Sequence, residues 1–157
     1  MRICDIVQQL RAHFEPMAVE HGMAFSVAPD PQAPFTSILN GGAGGQCILC
    51  YAGQARIGDT PRGRIPVGSR FELFLSASVK LSADKAGGAL FRPDNARLPL
   101  YAICEAFETD IAVYEIQDND GTVERTPYYE STDPAVMPDG FTLSAYKIAF
   151  QIRRAMH

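Results

Sequence analysis

Two segments of the chain carry apolar residues every three or four positions, which is the spacing of one face of an α-helix. In residues 2–18 these positions are Ile3, Ile6, Val7, Leu10, Phe14 and Met17. In residues 97–116 they are Leu100, Ile103, Cys104, Phe107, Ile111 and Tyr114. Pro16 predicts a bend or an end in the first helix, and Gly22 predicts its stop. Both segments are therefore predicted to be amphipathic helices that need an apolar surface to cover them.

Other segments alternate apolar and polar residues, which is typical of strands with one buried face. The longest of these runs spans residues 69–81. Its apolar positions are Phe71, Leu73, Leu75, Ala77, Val79 and Leu81. Residues 46–57 and 141–153 show the same alternation, and residues 23–28 predict a short strand. We expect residues 46–57 and 69–81 to form an antiparallel hairpin across a long basic loop.

The order of these elements predicts an α+β fold, a mostly antiparallel sheet with two amphipathic helices packed on one face. The other face of the sheet is predicted to be open and polar, with Phe74 exposed on it. Its polar residues are Arg70, Glu72, Ser76, Ser78 and Lys80. At 157 residues the chain is predicted to be a single domain, residues 1–157.

Composition and charge exclude several classes of protein. Hydrophobic residues make up 46% and charged residues 20% of the chain, which argues against disorder. The net charge is −4 and there is no long run of Lys or Arg, so sequence-specific nucleic-acid binding is not expected. No apolar run approaches the ~20 residues that span a bilayer, and the first residues lack the apolar core of a signal peptide. We therefore expect no membrane partner and a cytosolic origin with reduced thiols.

Cys47 and Cys50 form a C-x-x-C pair, the spacing of many redox and zinc sites. Redox pairs lie at a helix start, whereas this pair lies in an apolar run that predicts a strand. Residues three apart in a strand point to opposite faces, so the two thiols cannot meet. The other residues that could ligate zinc have no paired spacing, namely Cys4, Cys104, His13, His21 and His157. We predict a strand with two structural thiols and no metal.

The remaining candidate motifs also favour structural interpretations. The glycines of residues 41–45 precede a strand instead of joining a strand to a helix, unlike a phosphate loop. Residues 118–121, with the sequence DNDG, read as a turn, because a calcium loop would need different flanking residues. No histidine has a nucleophile in a recognisable setting, and Glu105, Glu108 and Asp110 read as a solvated helix face. We therefore predict no catalytic, cofactor-binding or metal-binding residues and a protein that is not an enzyme.

The element order, with the segments RFELFLSASV and KIAFQI, resembles the tail terminator (tail-completion) proteins of long-tailed bacteriophages. Proteins of that family are small α+β subunits that form six-fold rings, which cap the tail tube and join it to the head. The resemblance implies a structural virion protein of the tail or neck, assembled in the host cytoplasm. It also implies a ring of identical copies, expected to be hexameric and able to let DNA pass through. The implied partners are the tail-tube protein and the head–tail connector.

The resemblance suggests an interface as well, since ring subunits join by heterologous contacts. As a hypothesis, the hairpin loop with Arg62 and Arg64 contacts a neighbouring subunit or ring; a solvated loop is the alternative. The residues of this candidate interface are Arg62, Arg64, Arg70, Glu72, Phe74 and Lys80. Residues 29–40 and 126–140 match nothing in the family. These segments leave open another phage neck or tail-tube component. Two further alternatives are a binding module for a small ligand or protein and a thiol or zinc enzyme.

Overall fold

The computed structural model describes residues 1–28, 45–58, 64–77, 100–135 and 144–156. Within these residues the chain forms two α-helices and one five-stranded sheet. The elements are α1 (Ile3–Glu20), β1 (Met23–Ala28), β2 (Gly45–Arg56), β3 (Ile65–Ala77), α2 (Leu100–Val113), β4 (Tyr128–Pro134) and β5 (Ser144–Met156). The predicted α+β class is therefore confirmed.

The strands lie in the order β1-β2-β3-β5-β4. The predicted hairpin is confirmed, because β2 and β3 pair antiparallel with Leu49 opposite Leu73. β5 pairs antiparallel with both β3 and β4, whereas β1 and β2 run parallel. The prediction of a mostly antiparallel sheet is therefore confirmed.

Both helices cover one face of the sheet, which we call the inner face. Their buried residues form a single cluster with the buried inner-face residues of β2, β3 and β5. The ring of Phe14 on α1 lies 5.8 Å from Phe107 on α2 and 6.1 Å from Phe150 on β5. Phe150 in turn stacks on Phe71 of β3 at 5.7 Å. The predicted packing of two amphipathic helices on one face is confirmed, since the apolar stripes of both helices enter this cluster.

Helix α1 continues through Pro16, so this proline does not end the helix. A proline inside a helix costs about 3 kcal/mol, because it removes one backbone hydrogen bond and crowds the preceding turn. The buried Ala18 lies beyond the proline, so the last turn of the helix still packs on the inner face. The helix ends at Glu20, and Gly22 follows with a φ of 76°. The predicted stop at Gly22 is confirmed.

Strand β4 lies in a segment whose sequence pattern predicts no element. Its residues are mostly exposed or half-buried, and among the described strands it pairs with β5 alone. The pairing shifts register between Tyr129 and Ser131, which places a bulge at Glu130. An exposed edge strand need not alternate apolar and polar residues, and a bulge interrupts any alternation that it has. The sequence of this segment therefore shows no strand pattern.

The turn predicted at residues 118–121 is confirmed, with Gly121 at a φ of 66°. The Asp118 carboxylate accepts hydrogen bonds from the backbone N–H groups of Asp120, Thr122 and Val123, at 2.7–3.0 Å. Partial desolvation opposes ionisation of Asp118, but these three donors lower its pKa below the ordinary value. The carboxylate thus organises the turn that leads from α2 towards β4.

Candidate interaction surface

The second face of the sheet, the outer face, is buried over part of its area. Phe74 is only 3% exposed and packs in a cluster with Ile48, Cys50 and Ala145. The expectation of an open polar face with an exposed Phe74 is therefore wrong here. A signal was available in the continuous apolar run of residues 47–50, which is typical of a strand buried on both faces.

The rest of the outer face carries a polar network that crosses β3, β5 and β4. Arg70 Nε lies 3.1 Å from Glu130 Oε2, and Gln151 donates to Glu130 Oε1 at 3.1 Å. Arg153 donates to Gln151 Oε1 at 3.2 Å, and its guanidinium lies 3.7 Å from the centre of the Tyr128 ring. Cationic and acceptor side chains therefore alternate across the surface and link β3, β5 and β4 by ion pairs and hydrogen bonds.

Glu72 lies between the apolar and the polar parts of the outer face. Its carboxylate is 3.6 Å from Lys147 Nζ, with the Glu72 side chain 12% exposed and Lys147 33% exposed. A carboxylate this buried needs a partner, because an unpaired buried charge is costly. Lys147 therefore stabilises the folded subunit by pairing with Glu72, so its charge is not free for a partner protein.

The structure separates the six residues of the predicted interface. Arg64 and Arg70 are exposed, while Glu72 and Phe74 are buried within the subunit. Arg62 and Lys80 lie outside the described residues. Arg64 and Arg70 do not share a patch, since Arg70 lies on the outer face and Arg64 precedes β3 at one end of the sheet. The role of these residues in an interface stays a prediction.

That end of the sheet, where β2 and β5 finish and β3 begins, concentrates arginines. Arg56 and Arg154 lie on the same face, each opposite Val67 of the intervening strand. The Arg154 guanidinium is held by neutral groups, donating to Ser69 Oγ at 3.2 Å, to Met1 O at 2.9 Å and to Gln54 Oε1 at 3.0 Å. We define the arginine end as Arg56, Arg64 and Arg154. Arg56 and Arg64 are exposed and form no ion pair with the described part of the chain.

A second exposed surface lies at the β4 edge of the sheet, where α2 packs beside β4. Tyr101 on α2 and Tyr129 on β4 are each 43% exposed. Tyr129 Oη lies 2.6 Å from Thr132 Oγ1, which donates to the carboxylate of Glu108 on α2. Glu105 lies one helical turn before Glu108 and is exposed. We define the tyrosine flank by its members, Tyr101, Glu105, Glu108, Tyr129 and Thr132.

His13 and Asp110 join the two helices, a contact that the sequence did not predict. His13 Nε2 lies 2.6 Å from Asp110 Oδ2, and the imidazole stacks on Tyr114 with 3.8 Å between ring centres. The prediction that Asp110 is solvated is wrong, since its side chain is about three-quarters buried in this pair. The two residues are 97 positions apart, so no local pattern could bring them together. The hydrogen bond and the stacked rings therefore hold α1 against α2 at this point.

Cys47 and Cys50 lie within β2, as predicted, and point to opposite faces of the sheet. Cys47 belongs to the inner cluster and Cys50 to the outer one. Burial raises the pKa of Cys47 well above its ordinary value, and it raises the pKa of Cys104 to about 12. No group of three or more metal-ligating side chains occurs in the described ranges. The prediction of a strand with structural thiols is confirmed for its location and its geometry.

Comparisons with known proteins give no family. No protein-family model matches this chain, and no curated protein sequence matches it either. Among the described residues, neither helix is long and apolar enough to cross a membrane.

Proposed function

We propose that this protein is a structural subunit of a phage tail, a tail terminator. Its copies form a ring that caps the tail tube and joins it to the head-side connector. The observation that carries the proposal is the order of the elements along the chain: a helix, three strands, a helix and two strands. The resemblance to tail terminators rests on part of this order: the first helix, the β2–β3 hairpin, the second helix and the closing strand β5. Both helices lie on the inner face of one sheet.

The proposed mechanism is geometric. One side of the ring docks on the last ring of the tube and stops its growth, while the other side presents a new surface to the connector. Ring closure needs a heterologous contact, in which two different surfaces of each subunit meet and the rotation between copies closes. A sheet held rigid by the inner cluster keeps that rotation the same in every copy.

The polar network of the outer face supports a docking role. Arg70 and Glu130 are partly exposed, with side-chain exposures of 48% and 28%. Exposed ion pairs of this kind contribute about 0–1 kcal/mol to stability, so their charges can re-pair with a partner at little cost to the fold. Charges arranged across three strands also fix the orientation of a partner better than an apolar patch would.

Light scattering coupled to size separation, followed by negative-stain imaging, tests the ring. We expect one defined assembly larger than a dimer, with ring-shaped particles. A chain that is monomeric at every concentration, and stays so beside tail tubes, contradicts the proposal. A monomer whose melting temperature rises with a metabolite would instead favour the alternative of a binding module.

A pair of variants tests the outer face as the docking surface. Arg70→Glu should weaken binding to tail tubes, built from the tube protein encoded in the same genome, without changing the size of the isolated assembly. Arg11→Glu makes the same change in charge on α1, and we expect it to leave binding unchanged. Equal binding by Arg70→Glu and Arg11→Glu would remove Arg70 from the interface.

A further inference from the structure

The structure holds two exposed surfaces that complement each other and that one subunit cannot bring together. The arginine end supplies two exposed guanidinium groups, Arg56 and Arg64, that form no ion pair with a described residue. The tyrosine flank supplies exposed aromatic rings together with the carboxylates of Glu105 and Glu108. Arginine pairs with carboxylates through charge-assisted hydrogen bonds and stacks on aromatic faces. Each surface therefore offers the chemistry that the other lacks.

The two surfaces are too far apart to meet within one chain. Three inter-strand steps separate β2 from β4 in the sheet, which is about 14 Å across the strands. Arg154, in the same row as Arg56, and Phe150, opposite the nearest flank residue Tyr129, are four residues apart on β5, which adds about 13 Å along the strands. A contact between these surfaces has to join two molecules.

The subunit already uses the same pairing within itself. Arg153 lies over the ring of Tyr128, and Arg70 pairs with Glu130, both at the β4 edge of the sheet. Tyr129 follows Tyr128 on the same strand and points to the opposite face, where no described arginine reaches it. The inner side of β4 thus also presents a tyrosine ring beside a carboxylate. On the outer side, arginines of the same subunit already contact these groups, whereas on the inner side no described arginine does.

The exposure of the tyrosines is a further argument for a protein partner. Tyrosine is enriched at the centres of protein interfaces, because it supplies contact area at low cost in conformational entropy. Two of the seven large hydrophobic side chains that are exposed in the described part of the chain, Tyr101 and Tyr129, belong to the tyrosine flank. A surface of this composition favours an arginine-bearing protein over a small ligand.

We propose that the arginine end of one copy docks on the tyrosine flank of a second copy. This inference rests on the proposed function and deepens it, because it assigns the two surfaces of the heterologous contact. Such a contact leaves one unfilled arginine end and one unfilled tyrosine flank on every dimer. It therefore repeats from copy to copy and closes when the rotation fits a ring.

Charge reversal on either surface tests the contact, with self-association measured by light scattering over a range of concentrations. We expect the double variant Arg56→Glu/Arg64→Glu to weaken self-association at least about tenfold, and Glu105→Arg to do the same. Arg11→Glu and Glu20→Arg each reverse a single charge at an exposed position of α1, in the two corresponding directions, and should assemble like the wild type. Circular dichroism and thermal unfolding verify that each variant folds.

Mixing the two charge-reversed variants gives the sharpest outcome. The acidic end of Arg56→Glu/Arg64→Glu can pair with the basic flank of Glu105→Arg. The unchanged flank of the first variant can pair with the unchanged arginine end of the second. We therefore expect the mixture to associate at concentrations where neither variant associates alone. A mixture that stays dissociated overturns the proposed contact, and so does unchanged assembly of either variant.

The two tyrosines of β4 supply a matched pair on opposite faces. Tyr129→Ala should weaken self-association about tenfold, whereas Tyr128→Ala should leave it unchanged, because Tyr128 is already covered by Arg153. Equal effects of the two substitutions would overturn the assignment of the flank.

Failure of this contact is distinguishable from failure of the ring. A wild-type chain that is monomeric at every concentration, both alone and beside tail tubes, contradicts the ring itself. A wild-type assembly that survives both charge reversals contradicts only this contact. Binding of a labelled DNA duplex, lost in Arg56→Glu/Arg64→Glu while assembly stays intact, would make the arginine end a polyanion-binding surface and overturn the proposal.

Discussion

The inner and outer faces of the sheet differ in how their side chains are paired. On the inner face, Phe71, Leu73 and Phe150 are fully buried against apolar side chains of both helices. On the outer face, a small apolar cluster around Phe74 adjoins a network of charges that is partly exposed. Burial of apolar area carries most of the stability of a fold, whereas exposed ion pairs contribute little. The inner face therefore holds the subunit together, and the polar half of the outer face is available to a partner.

The largest expected effect comes from the inner face. Phe150→Ala should lower the free energy of unfolding by about 3–5 kcal/mol, because it removes a ring that contacts both Phe14 and Phe71. Val19→Ala, at a position that is 63% exposed, should change it by less than about 0.5 kcal/mol. Urea unfolding measures both. A cost below about 1 kcal/mol for Phe150→Ala would show that the inner cluster does not carry the fold.

A substitution of Phe74 tests whether the apolar part of the outer face is buried. Because Phe74 is buried, Phe74→Ala should cost about 3 kcal/mol, the lower end of the range for a buried phenylalanine in a small cluster. An open outer face would make the same substitution nearly neutral. The same urea experiment decides between the two, with Phe74→Leu as a control that keeps most of the apolar volume.

The two ion pairs of the outer face should differ in their effect on stability. Lys147→Ala leaves the buried Glu72 without its partner and should cost about 1–3 kcal/mol. Arg70→Ala breaks a more exposed pair and should cost about 0–1 kcal/mol. Adding Glu72→Gln to Lys147→Ala should recover part of the loss, since it removes the uncompensated charge. Equal costs for Lys147→Ala and Arg70→Ala would argue against this difference in burial.

The smallest expected effect is a loss of stability at alkaline pH, caused by the inner-face thiols. The pKa of Cys104 is raised from 9.0 to about 12 in the folded protein, so the thiol ionises first in the unfolded state. Its contribution to the free energy of unfolding is fully present well below pH 9. The contribution falls as the pH rises, by about 0.4 kcal/mol per thiol at pH 9 itself.

Chemical unfolding at a series of pH values measures this loss. Cys104→Ala should reduce the slope of stability against pH above 9. Ile103→Val, a neighbouring substitution that does not titrate, should leave the slope unchanged. Equal slopes in the two variants would rule out a contribution from Cys104.

Sequence patterns located most of the elements but not the surfaces. The stripe of α1, the alternation of β3 and the final strand were readable because each side chain reports the same buried face at a fixed period. β4 gave no such signal, since its register shifts at Glu130 and its residues are largely exposed. The burial of Phe74 could not be read from β3 alone, because Phe74 packs with Ile48 and Ala145 of the neighbouring strands.

The amino-acid sequence by itself determined the class of fold, the helix and strand periods, and the separation of Cys47 from Cys50 across β2. These follow from local geometry, in which the position of a side chain depends only on its neighbours along the chain. The tertiary structure alone decided which polar residues are paired between different elements. It brought His13 to Asp110, Arg70 to Glu130 and Lys147 to Glu72. Those pairs join distant parts of the chain, and strand order and helix packing set their distances.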